Sequence, residues 1–146
     1  MLYQLLAGCL VSLVNFGVHA IVTGIVVVAA RHTAAATDDL HVFARVTALL
    51  MVTMTALMTA HVLEISVWAL FFTWQGIETE NVGPFEFAFE NYTALGYGDA
   101  LPGVGFRLVG PITALNGLLL IGWSVAIIFE VMKMADVRVA RKDPGS

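Results

Sequence analysis

Apolar side chains cover three long stretches of this chain on every face rather than along one stripe, with short polar segments between them. Residues 1–30 carry no acidic or basic side chain except His19, and residues 40–74 are a second largely apolar stretch interrupted by Arg45, His61 and Glu64. A third apolar run covers 106–134. A helix rises about 1.5 Å per residue, so about 20 apolar residues cross the hydrocarbon core of a bilayer. A helix that is apolar all round has no face for water. The pattern therefore predicts an all-α membrane protein: an N-terminal transmembrane helix over 1–32, an outer helix over 40–74, an inner helix over 106–134 and a short tail over 137–146. The first run lacks a basic leader and exceeds the roughly 7 to 15 apolar residues of a signal peptide, so it is read as mature structure.

The connection between the second and third runs has a different pattern, Asn81-Val-Gly-Pro-Phe-Glu-Phe-Ala-Phe-Glu-Asn-Tyr-Thr-Ala-Leu-Gly-Tyr-Gly-Asp-Ala-Leu-Pro102. Pro84 suits the first turn of a helix, where its missing N–H does no harm. A helix over 84–94 is too short to span and fits a re-entrant element whose C-terminal end, carrying about half a negative charge, favours a cation. Gly96 and Gly98 bracket Tyr97, and glycine admits backbone angles that turn successive carbonyls to one side. One strand cannot encircle an ion, so four copies around an axis are required and a homotetramer is expected. Irregular backbone at membrane depth, tolerated only when buried in protein or lining a wet cavity, argues for the same assembly.

Composition agrees: 59% of the residues are apolar and 12% charged, against about 25% charged in soluble domains. The net charge of −4 matters less than where each sign sits. Arg31, Arg45, Lys133, Arg138, Arg141 and Lys142 flank the first connection or lie at or beyond the end of the third run, which predicts those regions to be cytoplasmic. The N-terminus and the segment 75–105, with Glu78, Glu80, Glu86, Glu90 and Asp99, then face outside as an acidic mouth that attracts cations, although Glu78 and Glu80 suit a merely solvated loop better. Cys9 stands alone, which excludes an intrachain disulfide or thiolate cluster.

Thr93, Leu95, Gly96, Tyr97, Gly98 and Asp99 resemble the Thr-x-Val-Gly-Tyr-Gly-Asp signature of the potassium-channel pore-domain family. With the flanking helices the resemblance covers about two thirds of the chain. It implies a selectivity filter over 94–99 inside a pore domain over 40–136, with K+ held by the backbone carbonyls of Leu95, Gly96 and Tyr97. Tyr97 between the glycines implies potassium selectivity. Two positions depart from the signature: Leu95 replaces Val, and Ala94 replaces the Thr whose hydroxyl completes the innermost ion site. The resemblance also puts Glu90 where some bacterial channels hold an acid behind the filter, near Asp99. A carboxyl pair that shares a proton would link filter gating to pH; an ordinary hydrogen bond of Glu90 is the alternative.

Among supporting residues, His61, Glu64 and Trp68 lie at i, i+3 and i+7 on one face of the outer helix. An ionisable residue at membrane depth needs a partner. These residues are expected to brace the filter from outside through Asn91 or Tyr92, with a proton sensor as second reading and a metal or catalytic site as third, since two ligands are too few. Asn15 and His19 are expected to make an interhelical polar contact. Gly117 and Gly122 interrupt the inner helix, either as a gating hinge or as sites of close packing, and Asn116 lines the cavity or points to a neighbour. No helix has Arg at every third position, so voltage sensing of the usual kind is not expected. The basic tail has residues suited to anionic lipid. No cofactor beyond K+, no nucleic-acid partner and no enzymatic chemistry are expected; the rival to a plasma-membrane pore is a non-conducting channel-like subunit.

Overall fold

The computed structural model describes residues 2–77, 79, 82–96 and 102–142, without the side chains of Val104 and residues 135–142. Tyr97, Gly98 and Asp99 of the expected filter, and Glu78 and Glu80, lie outside the described residues. Four α-helices form: α1 over Leu2–Ala36, α2 over Val42–Trp74, α3 over Pro84–Tyr92 and α4 over Val109–Lys142. There is no strand among the described residues, only an isolated bridge between Thr79 and Val82. Leu2–Ala36, Val42–Trp74 and Val109–Met134 are long and apolar enough to cross a membrane.

Several boundaries differ from those the sequence predicts, each for a local reason. Nothing in His32-Thr-Ala-Ala-Ala breaks a helix, so α1 passes residue 32 and ends where Thr37 Oγ1 bonds back to Thr33 O at 2.6 Å. Residues 104–106 wind into a 3-10 turn, with Phe106 N bonded to Gly103 O at 2.8 Å, which delays the start of α4 to Val109. Pro111 is then within the first turn, where proline is tolerated. No Gly or Pro interrupts the chain from Lys133 to Lys142, so α4 continues into the expected tail.

Phe72 O accepts from Ile77 N at 3.0 Å and Thr73 O from Gly76 N at 3.1 Å as α2 ends, with Gly76 at φ +62°. This bonding satisfies carbonyls the helix end would orphan, and glycine adopts the left-handed angle without cost. Ile77 returns to the core as the apolar partner of that cap.

The chain divides into two compact units. The first, Met1–His19 with His61–Gly122, has a core of Ile65, Trp68, Phe72, Phe87, Tyr92 and Leu120 among others. Its aromatic rings are 5.2 Å apart for Phe72 with Phe87 and 5.7 Å for Trp68 with Phe72, in tilted contacts. The second, Ala20–Ala60 with Trp123–Ser146, packs Val26, Ala30, Leu49, Leu57, Ile127 and Val131. Leu6, Leu10, Leu13, Met58, Leu70, Leu118 and other large apolar side chains remain exposed, as suits helices surrounded by lipid or further subunits.

Candidate functional site

α3 starts because Pro84 occupies its first turn after Gly83 in an extended conformation. Its apolar positions Phe87 and Ala88, with Tyr92 one turn on, turn inward and are buried. The helix stops at Tyr92 rather than residue 94. Leu95 N donates to Glu90 O at 3.0 Å and Ala94 N to Asn91 O at 2.9 Å, the same paired bonding that closes α2. Here the left-handed position is Ala94, at φ +55°, which costs an L-residue with a Cβ about 1–2 kcal/mol. Gly96 follows at φ +51°. The two residues expected to begin the filter, Ala94 and Leu95, thus complete the cap of α3. Thr93 is exposed, its hydroxyl bonded to Phe89 O at 2.9 Å, and Glu90 is half-buried.

The C-terminal end of α3 sits against α4 at Gly117. A Cβ there would lie 1.9 Å from Tyr92 O and 3.0 Å from Tyr92 Cγ, so glycine is what allows the two backbones to meet. Gly110 plays a smaller part, because a Cβ would come within 2.6 Å of Asn91 Oδ1. At Gly122 no atom of the described residues beyond its own stretch of helix lies within 4 Å of that position, so Gly117 and Gly122 are not equivalent.

On its other side Tyr92 enters a buried polar cluster. Its hydroxyl donates to Glu64 Oε2 and lies 2.8 Å from His61 Nδ1. His61 Nδ1 is 3.1 Å from Glu64 Oε2, and His19 Nδ1 is 2.7 Å from Glu64 Oε1. Of the two partners the sequence suggests for the α2 pair, Tyr92 is engaged, whereas Asn91 Nδ2 bonds to Phe87 O in its own helix. Asn15 Nδ2 donates to Glu64 O at 3.2 Å and to Asn116 Oδ1 at 3.0 Å. The indole Nε1 of Trp68 donates to the same Asn116 oxygen at 2.9 Å. Residues of α1, α2, α3 and α4 are thereby tied together by side chains that are almost all fully buried.

His19 is the member that sequence spacing misses. It stands 45 positions before Glu64, and only the packing of α1 on α2 brings it to the i, i+3 pair. The signal was present in part, since a histidine alone in a 30-residue apolar run requires a polar partner somewhere in the bundle. Interhelical hydrogen bonds inside membranes average about 0.6 kcal/mol each. The network therefore sets where α3 sits more than it sets total stability.

Residues 58–134 match the family model Ion_trans_2, described as an ion channel, and that match covers just over half of the chain. No curated protein and no solved structure matches the chain.

Proposed function

Because the chain belongs to the ion-channel family, we propose that it forms a potassium-selective pore in which four copies surround one axis. The observation that carries this reading is the way α3 ends. A nine-residue helix closes on Ala94, and the chain turns at Gly96 directly before Tyr97-Gly98-Asp99. A cation at the C-terminal end of α3 meets its partial negative charge, and carbonyls of Leu95, Gly96 and Tyr97 from four chains replace the ion's water. α3 is the re-entrant pore helix in this reading, α2 the outer helix and α4 the inner helix. The substrate is K+, moved passively, with no resident cofactor.

Ala94 supplies no hydroxyl, so the innermost ion site keeps backbone oxygens only. This alters conductance or inner block more than selectivity. His61, Glu64 and Trp68 brace the filter through Tyr92 and Asn116, and Thr93, Glu90 and Asp99 are its support and outer-mouth residues. Positive charge on the first connection and after the third apolar run supports a cytoplasmic side for both and an outer N-terminus, in the plasma membrane, and Lys133, Arg138, Arg141 and Lys142 suit anionic lipid.

Reconstitution of the purified chain in liposomes tests the proposal. Potassium flux well above sodium flux, from a species whose mass in detergent is four chains, is the expected result. A stable monomer or dimer, or no flux at any pH or voltage, would favour a non-conducting channel-like subunit.

A further inference from the structure

The geometry points to a binding site for a divalent transition-metal ion of the zinc class at His19, His61 and Glu64, with the Tyr92 hydroxyl beside the open coordination position. One ligand atom from each of the three residues lies within 4.8 Å of the others. His19 and Glu64 have fully buried side chains, and that of His61 is 16% exposed, which makes His61 the edge by which an ion enters.

Ligand atoms around a tetrahedral zinc at about 2.0–2.1 Å are about 3.3 Å apart. His19 Nδ1 is 2.7 Å from one Glu64 oxygen and His61 Nδ1 3.1 Å from the other, hydrogen-bond distances, so an ion enters by replacing these bonds and spreading the cluster. Two imidazoles on one such ion have ring centroids about 5 Å apart. Those of His19 and His61 are 5.6 Å apart and tilted by 34°. The donor set also selects the ion. Two imidazole nitrogens and one carboxylate leave a fourth position open and suit zinc-like ions, whereas calcium and magnesium require mostly oxygen ligands.

Outer contacts fix the ligands in place, as metal sites require. Asn15, one turn before His19, holds the main-chain oxygen of Glu64, and Asn116 of α4 holds Asn15 in turn. Tyr92 joins the carboxylate to the last turn of α3. An ion bound there clamps α1 to α2 directly beside the residue that ends α3. Binding does not depend on the chain being a pore, so a protein that fails to conduct leaves this site to be judged on its own.

The test is equilibrium dialysis of Zn2+ and optical titration of Co2+ on the purified full chain, prepared without a histidine tag. One ion per chain is expected, with affinity reduced at least about tenfold in Glu64→Gln, which keeps side-chain volume. His61→Cys, at the least buried ligand, should retain Co2+ and gain a thiolate-to-metal charge-transfer band that the native chain lacks although it contains Cys9. That band requires sulfur on the ion, which a merely structural role of residue 61 would not produce. No bound ion in the native chain, unchanged affinity in folded Glu64→Gln, or Co2+ binding by His61→Cys without the band would each overturn the proposal and leave the cluster as a hydrogen-bond network.

Discussion

A Cβ on Gly117 would lie 1.9 Å from the main-chain oxygen of Tyr92, so the last turn of α3 rests on α4 with no side chain between them. Because the obstructing atom belongs to backbone, no rotamer change relieves the clash. Overpacking commonly costs about 1–3 kcal/mol, and Gly117→Ala should reach the upper part of that range or prevent assembly. Gly122→Ala meets no atom among the described residues and gains helix propensity, up to about 1 kcal/mol. Thermal unfolding of both variants in detergent checks the contrast. A Gly117→Ala protein as stable as the parent would mean that the residue serves bending rather than contact.

At the end of α3, Ala94 occupies a left-handed position that α2 fills with Gly76. Ala94→Gly should therefore raise stability by about 1 kcal/mol through relief of backbone strain. Ala94→Thr restores a hydroxyl but puts a β-branched residue at the same angle, so it should lower the unfolding midpoint. Ion selectivity measured on both variants separates the two effects. A large gain in K+ over Na+ permeability in Ala94→Thr would show that the missing hydroxyl, not the turn, limits selectivity.

The two caps also show what sequence could and could not disclose. Gly76 follows an apolar run and marks a helix end by its residue type alone, whereas Ala94 is an excellent helix former and suggests that α3 continues. The local cap, in which Leu95 N reaches Glu90 O and Ala94 N reaches Asn91 O, overrides its preference. The long apolar helices were legible because apolar residues all round admit lipid and little else. The pairing of His61 with Glu64 was legible because it is local, one helical turn apart. His19 was not, because nothing local connects α1 to a carboxylate on α2. Gly117 lay between these cases, since a glycine within an apolar helix signals either bending or contact, and the distance to Tyr92 favours contact.

Tyr92→Phe keeps the ring against Gly117 and removes only the hydroxyl that donates to Glu64 Oε2. A fully buried carboxylate then loses one of its donors. The expected cost is about 1–3 kcal/mol, more than the average membrane hydrogen bond, because the remaining acceptor stays desolvated. Unfolding measured alongside the double variant Glu64→Gln with Tyr92→Phe should show that variant losing less than the sum of the single losses. Additive losses would mean that Glu64 finds another donor.

The Asn15–Asn116 pair poses a sharper problem, because each amide is half used. Asn15 Nδ2 and Asn116 Oδ1 are bonded, while Asn15 Oδ1 and Asn116 Nδ2 are buried without a hydrogen-bond partner among the described residues. The contact is retained despite that cost, which fits a role in orienting α1 and α4 about Trp68, whose Nε1 shares the Asn116 oxygen. Replacing either asparagine by Leu leaves the other amide without its partner; replacing both removes the orphaned groups as well, apart from the Trp68 donor and Glu64 O. The double-mutant cycle should give a coupling of about 1 kcal/mol, with the double variant less damaged than the two single losses predict. If α1 merely surrounded the pore without fixed register, the coupling would vanish, and Asn15→Leu would be stabilising in the apolar setting of the first helix.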